Sequence, residues 1–324
     1  MSYGRGIFAI MPLPGLSVAT GRWMAVRAYP LRAAELAGAA AGPVTSVALL
    51  MAGCALLGVA AAGSGGAVVA IVLAAVLVAA VLACCNRLAL SAMLARPVSE
   101  VEHPELYRLV RELSQEGRLP VPRLYLSPAE QPNAFSVGRG PRSTSICCTE
   151  GLLGVLNEAE LRGVLGHELA HVSGHDILGS SVAAGLATVI TFPASLARLA
   201  RPASAGLKES RGSGLGALEH ALMLVFGPVA AVIVRLAVSQ EREYRADAAG
   251  ALLSGDPVAL AGALRKIDAG TAELALAPDG RRVSVGHLMI ASPFRPEGLA
   301  RLFRTHPPAG ERIRRLEAPA GYRR

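Results

Sequence analysis

The stretch LAGAAAGPVTSVALLMAGCALLGVAAAGSGGAVVAIVLAAVLVAAVLACCN, Leu36–Asn86, runs for 51 residues without a charge. A membrane helix needs about 20 apolar residues, so the run is too long for one span and fits two. Gly63-Ser64-Gly65-Gly66 supplies a natural break. The pattern predicts a helical hairpin with spans over 44–62 and 67–85. Pro43, ahead of the first, suits a helix N-terminus. A buried hairpin in a soluble core fits poorly with this length and lack of charge. A cleaved signal peptide fits poorly too, because the run starts late and a second follows at once.

The whole chain agrees. Of its 324 residues 52% are hydrophobic, 17% charged and 4% aromatic, and mean hydropathy is +0.43. Soluble chains carry about 25% charged residues, so an ordinary soluble enzyme is not expected, and disorder needs the opposite composition. The net charge of +8 matches a lipid bilayer better than nucleic acid. The basic residues flank apolar runs or gather in the C-terminal tail, and no basic stripe is interleaved with stacking aromatics. Cys54, Cys84, Cys85, Cys147 and Cys148 form no CxxC and are odd in number. This pattern predicts neither a disulfide framework nor a cysteine-ligated zinc, and points to a reducing compartment.

Two further apolar runs cover 177–197 and 218–238. The first holds Pro193 and the second Pro228, kinks that membrane helices tolerate. Basic residues mark cytoplasmic flanks. Arg5, Arg22, Arg27 and Arg32 precede the first hairpin, and Arg87 and Arg96 follow it. Both its ends, and the chain up to Asp176, are therefore expected at the cytoplasmic face. Arg198, Arg201, Lys208 and Arg211 between the later runs fit an outside loop badly. The second pair either crosses or packs as a re-entrant hairpin.

Beyond Pro97 the composition turns soluble. His103–Gly117 reads as an amphipathic helix on Leu106, Leu109, Val110 and Leu113. Short strands are expected over 123–126, 134–137 and 144–148, separated by Pro- and Gly-rich turns. A short helix over 150–156 follows. Asn157 then caps a longer helix, with Glu160 at the reciprocal position of a capping box.

That helix carries His167-Glu168-Leu169-Ala170-His171, an HExxH. Histidines at i and i+4 share one face and reach one ion, and the glutamate between them is placed to take a proton from an activated water. The bland alternative is two unrelated surface histidines. Catalytic zinc takes a third protein ligand. The metzincin pattern HExxHxxGxxH fails, because Ile177 stands where its last histidine belongs. His175 is a turn too far along the same helix and reads as solvated. The remaining candidate region is Glu241–Asp247, where Glu243 and Asp247 lie at i and i+4. They are either a ligand with a carboxylate that orients a ligating histidine, or a solvated charged face.

Several stretches together resemble the HtpX family of bacterial membrane zinc metalloproteases, relatives of the CAAX prenyl proteases. They are PNAFSVG (Pro132–Gly138), TEGLLGVLNEAELRGVLGHELAHV (Thr149–Val172), EREYRADAAGA (Glu241–Ala251) and THPPAGERIRRLE (Thr305–Glu317). Residues before 40 have no counterpart. The resemblance implies an α+β, mainly α fold: multi-pass membrane helices plus a zincin-like domain with a small β-sheet. It divides the chain into a basic extension over 1–41, a hairpin region over 42–96 and a metalloprotease domain over 97–324 that the second hairpin interrupts. It implies one zinc held by His167, His171 and Glu243, Asp247 behind the ligands, and His306 close to the zinc.

The chemistry expected is peptide hydrolysis. Glu168 acts as general base, and the zinc, with His306, stabilises the oxyanion. His306 otherwise caps the turn before Pro307-Pro308. Asn133, Ala134 and Phe135 read as an edge strand for an extended substrate, or as an ordinary sheet edge. Arg312 anchors a carboxylate or belongs to a solvated basic face with Arg314 and Arg315. Because both ligand helices adjoin apolar runs, the expected substrates are membrane proteins, damaged or unfolded, cut at the cytoplasmic face of the cell membrane. A CAAX-type prenyl protease, a silent membrane scaffold with a zinc site and a zinc transporter are the alternatives.

Overall fold

The computed structural model describes residues 33–173, 177–199, 214–277, 279, 281–295, 297, 302–303 and 305–318. The basic residues up to Arg32, His175, and Arg201, Lys208 and Arg211 lie outside them, as does the side chain of Arg198. The elements run α1 (Ala33–Ala92), β1 (Arg96–Pro97), α2 (Pro104–Glu116), β2 (Arg123–Ser127), β3 (Ala134–Val137), β4 (Ser145–Thr149), α3 (Glu150–Val155), α4 (Glu158–Ser173), α5 (Ile177–Leu199), α6 (Gly214–Ala237), α7 (Gln240–Ser254), α8 (Pro257–Glu273), α9 (Arg282–Val285) and α10 (Ala309–Glu317). The fold is α+β and mainly α.

Helix α1 leaves helical space only at Ala62 and Gly63. Gly63, at φ +62°, takes a backbone conformation that side chains resist. Gly58 and Gly66 then meet so closely that a Cβ on either would strike the other's backbone carbonyl. Small residues let membrane helices approach in this way. The helix begins well ahead of Pro43, which lies inside it rather than at its start. The Ala-rich segment 33–41 has high helix propensity, and Pro is tolerated inside membrane helices.

Among the described residues three helices are long and apolar enough to cross a membrane, over Met51–Ala92, Ile177–Leu196 and Ala217–Leu236. Leu56, Leu57, Val68, Leu73 and Val76 on α1 are each more than half exposed. In water each would forgo about 1.5–3 kcal/mol of burial, a cost that surrounding hydrocarbon removes. Val81 of α1 joins Val182, Ala183 and Leu186 of α5 and Ile233 of α6 in one apolar cluster.

The soluble part packs helices on one small sheet. Leu106, Leu109, Val110 and Leu113 of α2 are buried at helical spacing. The sheet order is β1-β2-β4-β3, with β2 and β4 parallel and both outer pairs antiparallel. The strand β3 is therefore a rim, and Phe135 lies opposite Cys147. At the start of α4 the Asn157 side chain accepts from Glu160 N, and Glu160 Oε2 accepts from Asn157 N, both at 2.9 Å. This is the capping box expected from the sequence. Val164, Leu165 and Leu169 of α4 then enter a common core with Leu260, Leu264 and Ile267 of α8.

Candidate metal centre

Two helices build the site. His167, Glu168 and His171 stand on α4, and Glu243 and Asp247 on α7. The helices meet at a pair of glycines that sequence reasoning passed over. A Cβ on Gly250 would lie 2.6 Å from His167 N, and one on Gly166 2.8 Å from Gly250 O. No real Cβ fits there, so the backbones approach as only glycine allows and His167 is carried to α7. Glycine inside a strong helix pattern was the available signal.

The ligand atoms of His167, His171 and Glu243 all fall within 4.8 Å of one another. The two Nε2 atoms are 3.2 Å apart, and the Glu243 carboxylate is 3.7 Å from His171 Nε2 and 3.9 Å from His167 Nε2. His167 Nδ1 lies 3.0 Å from Asp247 Oδ1. A carboxylate there favours hydrogen on Nδ1 and leaves the Nε2 lone pair for an ion. Two imidazoles and one carboxylate form a donor set that catalytic zinc takes.

Asp247 is itself held. Arg312 donates from Nε to Oδ2 and from Nη2 to Oδ1, each at 2.7 Å, and is 2% exposed. The solvated-face alternative for Arg312 is thus overturned. It anchors a carboxylate, and that carboxylate belongs to the chain. Burial pushes the Asp247 carboxyl up, but the Arg312 guanidinium more than offsets this and holds it below its usual range. Burial also pushes Glu243 up, and His306, His171 and Arg312 together bring it well below.

Glu168 differs. Both its oxygens are buried, and among the described residues neither makes a hydrogen bond of ordinary geometry. Burial raises its carboxyl above the ordinary range, and His167 and the nearby Ser136 hydroxyl offset only part of the rise. His306 lies beside the ligands as well, with Nδ1 3.2 Å from Glu243 Oε2. Its ring also forms part of the wall of a cavity of about 420 Å³, with Leu264, Ile290, Phe294, Pro307 and Arg312.

The expected open edge at Asn133, Ala134 and Phe135 needs correction. The strand is the sheet's rim, but all three residues are fully buried. Ile290 N–H donates to Ala134 O at 2.9 Å, and Phe135 pairs with Met289 in an antiparallel bridge. The rim is covered because a buried backbone group needs a partner, and the segment after α9 supplies it. Ser136 and His287, both near the centre, were not foreseen.

Residues 100–320 match the family model described as Peptidase family M48. The chain belongs to this family. Curated relatives place it among the HtpX proteases. A Protease HtpX homolog of Kineococcus radiotolerans is 55% identical over 239 residues, 73% of this chain and 80% of its own length. One of Paenarthrobacter aurescens is 49% identical over 236 residues, 73% and 79% of the two chains. One of Pelotomaculum thermopropionicum is 41% identical over 235 residues, 72% and 83%. No solved structure matches the chain significantly. This HtpX-family chain is a membrane metalloendopeptidase, a hydrolase of peptide bonds.

Proposed function

We propose that the chain is a zinc-dependent endopeptidase that cuts damaged or unfolded membrane proteins at the cytoplasmic face of the cell membrane. The observation that carries the reading is the convergence of His167, His171 and Glu243 beside a buried Glu168. These three residues would hold one zinc. When bound, zinc supplies Lewis-acid polarisation and lowers the pKa of its water towards about 7.

The chain's own residues do the rest. Asp247, fixed by Arg312, keeps the His167 ring turned with Nε2 towards the ion. Glu168 takes a proton from the attacking water and returns it to the leaving amine nitrogen. His306 donates towards the developing oxyanion. The domain division follows: an extension over 1–41, a hairpin over 42–96, and a catalytic domain over 97–324 interrupted by α5 and α6.

The membrane part of the reading rests on placement. His171 precedes the start of α5 by six residues, and Glu243 follows the end of α6 by six. Six residues span at most about 20 Å even when fully extended, which supports a centre close to the bilayer surface. Arg87 and Arg96 after the first hairpin favour the cytoplasmic side.

The test reconstitutes the full chain with zinc in vesicles. It compares a misfolded membrane protein in the same bilayer with an unfolded soluble protein. Faster cleavage of the membrane substrate, abolished by Glu168→Gln, is expected. Equal cleavage of both would sink the substrate assignment.

A further inference from the structure

The segment that covers β3 is built like a bound peptide. Besides the Ile290 N–H to Ala134 O bond and the Phe135–Met289 bridge, Asn133 Nδ2 donates to Ala291 O at 3.0 Å. The Met289 side chain is fully buried, as a side chain in a specificity pocket would be. Ser136, the next residue along β3, is the one beside Glu168. An extended polypeptide adding to this rim by main-chain pairing would need the room that Leu288–Ile290 holds.

The cover is tied to membrane helix α5 at two points. His287 Nε2–H donates to Ser180 O at 3.2 Å, and Thr188 Oγ1 donates to Ser284 Oγ at 2.9 Å. Ser180 O can only accept, so the His287 hydrogen sits on Nε2. Nδ1 is left as a bare, buried acceptor. Among the described residues the imidazole makes no other hydrogen bond.

We propose that Leu288–Ile290 is an intramolecular stand-in for the substrate strand, that His287 holds it over the centre, and that an extended apolar segment of a membrane protein displaces it. The inference rests on the endopeptidase reading of the same site. His287 is a positioning residue, acting through the strand it anchors. A segment arriving from the bilayer along α5 meets the Ser180 and Thr188 ties first, which favours membrane substrates over free peptides. A tethered stand-in competes at an effective concentration in the millimolar range, so short soluble peptides are poor competitors.

The test uses the full-length zinc-loaded enzyme in detergent with a short extended apolar peptide. His287→Ala removes the tie to α5, and Ile290→Pro removes the N–H given to Ala134. His287→Gln places an amide N–H where Nε2–H stood. Apparent affinity scales inversely with the open fraction, so the Ala and Pro variants should each raise kcat/KM by about tenfold through KM. His287→Gln should restore wild-type behaviour. Independently, adding the peptide to zinc-loaded Glu168→Gln should speed amide exchange at 288–291. If wild type cleaves and the loosened variants cleave no better, or if the peptide leaves exchange at 288–291 unchanged, the stand-in is refuted. If exchange rises but wild type and all variants fail to cleave, the endopeptidase reading fails while strand exchange stands.

Discussion

Arg312 grips Asp247 through two parallel hydrogen bonds of 2.7 Å, and both residues are buried behind His167. The pair links the C-terminal helix α10 to the metal-facing end of α7. A buried ion pair contributes little beyond what apolar packing would, but removing one partner strands the other. Arg312→Met should therefore cost about 3–5 kcal/mol of stability. Metal affinity should fall by about 10–100-fold, because the orienting carboxylate is released. Arg312→Lys should rescue only part, since an ammonium cannot bond both oxygens in a fork. Thermal unfolding and a zinc titration check both outcomes.

The crossing of α4 and α7 should tolerate no side chain. Gly250→Ala would drive a Cβ into the His167 backbone. Over-packing of this kind costs about 1–3 kcal/mol, and here it also moves a ligand. The expected variant binds zinc more weakly and unfolds at lower temperature. The hairpin offers a contrast. Gly58→Val should disturb α1 but leave zinc binding intact, because Gly58 lies at the crossing with Gly66, far along the chain from the ligands. Metal content and unfolding midpoint, measured on both variants, separate the two effects.

His287 predicts an acid-side loss of stability. Burial pulls its pKa down to about 4; Ser180 O works against this, His306 adds to it, and Glu243 and Arg242 are the remaining charged neighbours. In the unfolded chain a histidine titrates near 6.5. Between these values the unfolded state binds more protons, so stability falls as pH drops from about 6.5 to 4. The full difference is about 3 kcal/mol. His287→Gln should flatten this part of the unfolding-midpoint profile.

The membrane hairpin, the amphipathic α2, three of the four described strands and the capping box were legible because each depends on local pattern: uncharged length, helical spacing, turn residues and an Asn–Glu pair three apart. The HExxH face was legible for the same reason. Spacing alone left Glu243 and Asp247 between ligand and solvated face, since i and i+4 carboxylates suit both. Arg312 was ambiguous because its neighbours Arg314 and Arg315 are exposed, and only the docking of α10 shows which one turns inward. The cover over Asn133–Phe135 was not legible. It joins residues more than 150 positions apart, and nothing in the sequence of 286–291 marks it as a strand. Strand β1, two residues long, exists only because β2 is there to pair with it.

The most direct test of the central claim measures bound zinc and cleavage of an unfolded membrane protein together, on full-length wild type, Glu168→Gln and Glu243→Gln. Wild type should hold about one zinc and cleave. Glu168→Gln should hold the same zinc and lose about 10²–10⁴-fold in rate, the span of a general base. Glu243→Gln should lose the zinc and the activity together. Full zinc and full cleavage in Glu243→Gln, or undiminished cleavage in Glu168→Gln, would contradict the assignment of this centre.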